Sequence, residues 1–384
     1  MFNFTFHNPT KILFGKGQIV AISREIPDGA RILVTYGGGS IFRNGVMEQV
    51  RAALAGRTVF EFGGIEPNPS YETLMGAVEV MRRENVDFLL AVGGGSVIDG
   101  TKFLALAPFA SGDPWKILSE RQQVRQALSM GCVLTLPATG SEMNSGAVIT
   151  RKAEQAKLVF SSPLTFPRFS VLDPTTSFTL PARQVANGIV DAFVHVVEQY
   201  LTYPVAAAVQ DRYAEGLLLT LIEEGPKTLA QPENYDARAN LMWVACQALN
   251  GLIGAGVPQD WSTHMIGHEL TARFGLDHAR SLAAVLPATL SVRREAKREK
   301  LLQYGARVWG ITGGTEEERM AGAIAATRHF FESLGVPTRL ADHGIGAESI
   351  PDLVSALEAH GMRALGERRD VTLEVSRRIL EAAL

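Results

Sequence analysis

The chain has 384 residues, 46% hydrophobic and 20% charged, with a formal net charge of −3, which are globular proportions for two domains or one large one. No positive field exists to hold a nucleic acid backbone or an anionic membrane surface, so neither is an expected partner and small molecules are. The only cysteines are Cys132 and Cys246, which argues against a disulfide scaffold and suits buried thiols in a reducing compartment. The opening "MFNFTFHNPTKILFG" has no basic n-region and no apolar run is long enough for a bilayer, so a cytoplasmic location is expected.

In chain order, "FNFTF" and "KILFG" read as strands at the rim of a sheet. Strand and helix patterns then alternate: "RILVTY" and "IFRNGVMEQVRAAL", "TVFEF" and "SYETLMGAVEVMRREN", "FLLAV" and "SVIDGTKFLALA", and finally "CVLTLP". Such alternation predicts a parallel sheet with helices on both faces and ligands beyond the carboxyl ends of the strands. "GAVITRK" with "LVFSS" reads as extra strands or a hairpin at the rim, and "FSVLDP" as the last strand. From residue 184 onward the 3.6-residue period persists and β-branched clusters largely disappear, so the second half is expected to be helical. The expected division is an α/β domain over residues 1–180 and an all-helical domain over 181–384. "RREAKREK" at 293–300 reads as a solvated helix face.

Two strands end in the same tetrapeptide, "GGGS", at residues 37–40 and 93–96. Glycines at a strand-to-helix turn let the backbone take positive φ and approach a ligand, and the N–H groups of the following helix point at a phosphate. Ser40 and Ser96 stand as N-caps or phosphate donors. Neither loop is a G-x-G-x-x-G, so the usual dinucleotide fingerprint is absent. The stretch "TYGGGSIFR" carries no acid to bind a ribose 2′-hydroxyl and offers Gly38, Gly39, Ser40 and Arg43 to a 2′-phosphate, which favours NADP(H) over NAD(H).

Asp191 and His195 stand four residues apart in "VDAFVHVVEQY". A helix advances ~100° per residue, so both lie on one face about 6 Å apart along the axis. A hydrogen bond that settles a buried histidine would account for the pair alone. "WSTHMIGHELTARFGLDHARS" adds His264, His268 and His278, and several buried imidazoles near a carboxylate call for hydrogen bonds or a cation. H-E-x-x-H spacing is missing because position 272 is Ala272, which disfavours a zincin protease. Aspartate with imidazoles suits Zn²⁺ or Fe²⁺. Trp261, just before His264, is a candidate lining residue.

These residues resemble the iron-dependent, or type III, alcohol dehydrogenases over essentially the whole chain. The likeness is carried by "GGGSVIDGTK" at 93–102, "LPATGSE" at 136–142, "VANGIVDAFVHVVEQY" at 185–200 and "HMIGHELTARFGLDHARSLAAVLP" at 264–287. Within the family, "YGGGS" and "EFGGIEPNPSYETL" look like the branch of bacterial NADPH-dependent aldehyde reductases and butanol dehydrogenases. The resemblance implies a dehydroquinate synthase-like fold, with an α/β dinucleotide-binding domain followed by an all-α metal-binding domain. It implies Asp191, His195, His264 and His278 as metal ligands, with His268 near the nicotinamide as a candidate proton relay. It also assigns Gly94, Gly95, Ser96 and Asp99 to the pyrophosphate region, Thr139 and Ser141 to the phosphate or ribose side, and Lys157 to the nicotinamide ribose. Ala138 departs from the glycine common before "TGSE". Members of this branch often hold zinc, and relatives are commonly dimers, with "FNFTF" able to pair across a two-fold.

The expected activity is hydride transfer between NADP(H) and short-to-medium aldehydes or primary alcohols, assisted by one divalent metal. Two other readings stand beside it. A polyol or sugar-phosphate enzyme on the same scaffold would need more cations near the metal than Arg273 and Arg280, and a non-catalytic nucleotide-binding protein would have no use for the Asp/His/His/His set.

Overall fold

The computed structural model describes residues 1–384 and forms two compact units. The first comprises His7–Pro181 and Gln231–Asn250, and the second Met1–Phe6, Ala182–Ala230 and Gly251–Leu384. The chain therefore changes unit after Phe6, after Pro181, after Ala230 and after Asn250.

The first unit is built on strands β1 (Lys11–Phe14), β2 (Arg31–Tyr36), β3 (Thr58–Phe62), β4 (Phe88–Gly94), β5 (Ser129–Leu136) and β8 (Phe169–Leu172), all parallel, in the order β1-β8-β5-β4-β2-β3. Its helices are α1 (Ile22–Glu25), α2 (Ser40–Arg43), α3 (Val46–Ala53), α4 (Tyr71–Arg83), α5 (Gly95–Leu106) and α6 (Lys116–Ser119). Side chains alternate across the sheet with the period of two that a strand imposes. Ile32, Val34, Phe88, Leu90 and Val92 pack with the residues of α1 and α3, while Leu33, Leu89, Ala91, Cys132 and Leu134 pack with those of α4 and α5. Both faces being covered is why these strands read as near-continuous apolar runs. Of the two forms expected for this stretch, extra rim strands or a hairpin, antiparallel β6 (Gly146–Arg151) and β7 (Ala156–Ser161) take the hairpin, as a two-stranded sheet of their own. Both cysteines are fully buried.

The second unit contains α7 (Ala182–Tyr200) and α8 (Ala208–Ala230); α9 (Tyr235–Ala248) returns to the sheet-bearing unit, where Met242 and Cys246 join the core with α4 and α5. The second unit continues with α10 (Ser262–Phe274), α11 (His278–Val292), α12 (Arg298–Val308), α13 (Glu316–Ser333), α14 (Ile350–Ala359) and α15 (Leu373–Ala382), with one two-residue ladder between β9 (Ala364–Leu365) and β10 (Val371–Thr372). On α7 every residue from Val185 to Tyr200 is buried, so beyond its first turn this helix has no solvent face. No helix is long and apolar enough to cross a membrane.

Three local expectations are corrected. "FNFTF" is not a strand: residues 1–10 form no ladder, and Phe2 N–H donates to Gly256 O at 2.8 Å within the helical unit. Alternating aromatics fit a pleated surface, but no sheet edge of the same chain receives them. The helix after the first "GGGS" is the four-residue α2, broken from α3 at Asn44 and at Gly45 with φ +76°. Residues 293–300 are solvated only in part, with Glu295, Ala296, Arg298 and Glu299 exposed. Lys297 and Lys300 are buried, and the Lys297 Nζ lies 2.7 Å from Asp260 Oδ2, 3.1 Å from Glu367 Oε1 and 2.6 Å from Leu201 O. Burial works against the Lys297 charge, but the two carboxylates outweigh it and hold its pKa above the usual lysine value.

Candidate metal centre and cofactor loops

In the helical unit, α7, α10 and the start of α11 bring a carboxylate and three imidazoles together. His195 Nε2 lies 3.6 Å from Asp191 Oδ1, His264 Nε2 3.9 Å and His278 Nε2 3.6 Å. These spacings exceed a hydrogen bond of about 2.9 Å. They are close to the roughly 3.4 Å edge that ligands at about 2.1 Å make around a tetrahedral ion. Asp191, His195 and His264 are at least 95% buried, whereas the His278 side chain is 22% exposed and leaves the cluster reachable. The buried His264 Nε2 and His195 Nδ1 make no hydrogen bond within the protein. A buried polar atom without a partner is costly, and at His264 Nε2 a divalent cation removes that cost. The residues present therefore fit a divalent ion.

Electrostatics divides the two stacked imidazoles, whose centroids are 4.7 Å apart. Burial pushes His195 down to about 4 despite the pull of Asp191. Burial opposes the charge on His264 too, but Glu198 and Asp191 overcome it and raise this group to about 9. The difference lies in Glu198, whose Oε2 is hydrogen-bonded to His264 Nδ1 and whose Oε1 accepts from Thr263 N–H at 2.7 Å. Asp277, which precedes His278, accepts from Arg183 Nε at 2.8 Å and Asn187 Nδ2 at 2.9 Å, so α7 also grips the turn that presents His278. His268 is buried on α10 with its ring 5.3 Å from His278 and 6.3 Å from His264. Trp261 takes φ +64° and sets its indole edge-on to His264 at 5.2 Å and to His195 at 6.1 Å.

Glu198 is the residue that sequence reasoning passed over. It stands at i+7 from Asp191 in the same quoted stretch, two turns along one helix face, and that spacing was the available signal. Asp277 and Lys297 carried no comparable signal, because their partners lie far away in sequence.

In the sheet unit the two "GGGS" loops leave adjacent strands, β2 and β4. After β2 the chain moves outward to β3, and after β4 it moves the other way to β5. Loops that diverge in this way open a crevice at the carboxyl ends, the usual place for a nucleotide. Positive φ is needed in the first loop at Gly39, +83°, and at none of Gly93, Gly94 and Gly95. Close packing is what the second loop requires. A Cβ on Gly95 would stand 2.3 Å from Thr139 Oγ1, one on Gly93 2.5 Å from Val97 Cγ2, and one on Gly94 3.0 Å from Leu136 Cβ. Neither serine is an N-cap: Gly39 and Gly94 hold those positions, and Ser40 and Ser96 follow inside α2 and α5. Around Gly38 a Cβ would meet nothing within 4 Å, so its backbone is open to a ligand.

Ser96 Oγ accepts from Asn68 N–H at 3.2 Å, and Asn68 Oδ1 accepts from Lys157 Nζ at 2.9 Å, so Asn68 couples Lys157 on β7 to the second loop. Thr139 Oγ1 accepts from Ser141 N–H at 3.2 Å. Asp99 accepts from Ser141 Oγ at 2.5 Å and from Val148 N–H at 2.9 Å. With both oxygens engaged inside the protein, Asp99 ties α5 to the "TGSE" turn. Burial raises its pKa even though Lys102 and Ser141 oppose the shift. The turn is backed by α9, since a Cβ on Gly140, φ +61°, would lie 3.1 Å from Leu249 Cβ and 3.3 Å from Ala245 O.

A carboxylate with three imidazoles in a helical unit and, in the same chain, a parallel sheet with two glycine loops at its switch point are the marks of a metal-dependent dehydrogenase of the iron-containing class. The chain belongs to the iron-containing alcohol dehydrogenase family: the model of that name matches residues 9–174, and that of the Fe-containing alcohol dehydrogenase C-terminal region matches 185–383. It is 63% identical over 386 residues, covering all of both chains, to the NADPH-dependent aldehyde reductase YqhD of Escherichia coli (strain K12). The crystal structure of E. coli K-12 YqhD superposes with a TM-score of 0.99 at 62% identity, covering 100% of this chain and 99% of that one. NADH-dependent butanol dehydrogenase A from Thermotoga maritima superposes with a TM-score of 0.96 at 36% identity, again covering 100% and 99%.

Proposed function

We propose that the protein is a metal-dependent, NADP(H)-dependent aldehyde reductase that runs in reverse as an alcohol dehydrogenase on short-to-medium aldehydes and primary alcohols. What carries the reading is the convergence of three imidazole nitrogens on Asp191, in a chain 63% identical along its length to an NADPH-dependent reductase. Asp191, His195, His264 and His278 are the residues that would hold one ion, and an oxygen and nitrogen set without thiolate suits zinc or ferrous iron. Bound there, the ion supplies Lewis acidity to a carbonyl oxygen, and NADPH supplies the hydride.

The remaining work falls to the chain. Cofactor binding is assigned to residues 1–180 and metal binding to 181–384. Gly38, Gly39 and Ser40, with the exposed Arg43 beyond them, are assigned to the 2′-phosphate, since β2 ends without an acid that would repel it. Gly94, Gly95 and Ser96 at the N-terminus of the twelve-residue α5 are assigned to the pyrophosphate. Thr139, Ser141 and Lys157 are assigned to ribose and phosphate oxygens, with Asp99 holding Ser141 from behind.

His268 is assigned the proton relay, since an imidazole exchanges protons near neutral pH. His268→Ala is expected to lower kcat about 100-fold and to remove one limb of the pH profile. Unchanged turnover with an unchanged profile would take His268 out of the mechanism.

A cytoplasmic homodimer is the proposed working form. Its support is the pair of buried free thiols and the row of Met1, Phe2, Phe4 and Phe6, each 42–50% exposed, which a second copy would cover.

The deciding experiment follows NADPH and NADH oxidation with butanal, using chelator-stripped protein before and after refilling with zinc or iron. Activity restored by metal and preferring NADPH is expected, from a species sedimenting at twice 41.5 kDa. Activity indifferent to metal would sink the reading, and a clear preference for NADH would overturn the first-loop argument.

A further inference from the structure

We propose that Glu198 is a positioning residue of the metal centre, which dictates the nitrogen that His264 offers as a ligand and does so in a way only a carboxylate can. The inference rests on the reading of Asp191, His195, His264 and His278 as ligands. Glu198 is 2% exposed, and both of its oxygens are engaged by donors: Thr263 N–H reaches Oε1 at 2.7 Å, and His264 Nδ1 reaches Oε2.

In the neutral ring that an ion requires, the nitrogen that donates to a carboxylate carries the one proton, so the lone pair is on the other nitrogen. The other nitrogen is Nε2, which faces Asp191 Oδ1 at 3.9 Å, is buried and makes no hydrogen bond. Glu198 thus fixes the tautomer in which His264 can bind an ion. His195 has no equivalent device, since its buried Nδ1 makes no hydrogen bond.

Glutamine has the same shape but one acceptor. With its oxygen toward Thr263 N–H, it sets an amide N–H against Nδ1 and moves the ring proton to Nε2, where it blocks the ligand position. Turned over, it sets N–H against Thr263 N–H and leaves that buried donor unsatisfied. The strand of chain that brings these donors is itself held. Asp260 N–H donates to Glu198 O at 2.9 Å, the Asp260 carboxylate accepts from Ser262 N–H at 3.0 Å, and Lys297 pairs with that carboxylate at 2.7 Å. Glu198 cannot swing away from Thr263 and His264 without disturbing this frame.

The test compares Glu198→Gln, Glu198→Ala and Asp191→Ala with the parent. Zinc affinity is measured by competition with a chromophoric chelator, the visible spectrum is recorded after cobalt substitution, and thermal unfolding of the metal-free proteins checks the fold. Glu198→Gln is expected to weaken zinc by roughly 10–100-fold and to shift the cobalt bands. Its effect should equal or exceed that of Glu198→Ala, which removes the partner but leaves His264 able to take either tautomer. A purely structural role makes the opposite ranking, with the same-shaped glutamine milder than alanine, and that ranking would overturn the proposal. So would a glutamine variant within twofold of the parent in affinity with an unchanged cobalt spectrum, and this comparison stands even if the alanine variant does not fold. Asp191→Ala separates the two levels of argument: if it keeps its zinc, the ligand reading itself fails.

Discussion

Asp191→Ala should leave a folded protein that has lost its metal and about a thousandfold or more of its turnover. The side chain stands within 3.6–3.9 Å of the Nε2 atoms of His195, His264 and His278, so its removal takes away the anionic member of the set and the atom common to every spacing. Lewis acid assistance is worth several kcal/mol, and each 1.36 kcal/mol is a factor of ten in rate. The fold should survive because Asp191 lies on α7 among Val190, Ala192 and Val194, all fully buried apolar residues that keep the helix in place. Metal content by elemental analysis and kcat on the same sample provide the check. Stoichiometric metal in the variant would refute the ligand assignment.

Lys297→Ala should produce the largest loss of stability, about 3–5 kcal/mol, without touching the metal cluster directly. The lysine joins two carboxylates that are themselves buried, Asp260 with a side chain 4% exposed and Glu367 with one 6% exposed. Removing the cation leaves both charges in a low-dielectric interior, where an uncompensated carboxylate costs far more than an intact pair contributes. The check is the urea midpoint of the helical unit's transition at unchanged slope. Combining Lys297→Met with Asp260→Asn and Glu367→Gln should recover much of the loss, because no charge is then stranded. A single variant within 1 kcal/mol of the parent would show that water or a shifted side chain replaces the ammonium.

The parts of the molecule legible in the sequence are those written in local periodicity. Leu33 and Ile32 point to opposite faces of the sheet because strands alternate, and Asp191 and His195 share a helix face because four residues make about one turn. The "GGGS" loops were visible as glycine clusters, although their reasons differ: Gly39 needs its left-handed φ, and Gly95 needs the absence of a Cβ beside Thr139. What stayed hidden depends on partners distant in the chain. Lys297 in a basic run looks solvated until Asp260 and Glu367 arrive from 37 residues before and 70 after it. Lys157 has no motif of its own and is joined to the second loop through Asn68, which is distant from it in the chain. "FNFTF" has the alternation of a strand but pairs with no strand of its own chain.

The excursion of Gln231–Asn250 into the sheet-bearing unit has a consequence for biosynthesis. Met242 and Cys246 of α9 complete the core on the α4 and α5 face, and Ala245 and Leu249 back the "TGSE" turn. Domains generally fold as units while the nascent chain emerges. This one cannot close its core when residue 181 leaves the ribosome and must wait until residue 250 has followed. A message truncated after the last strand of the sheet would yield a fragment with an open apolar face where Met242 and Cys246 belong.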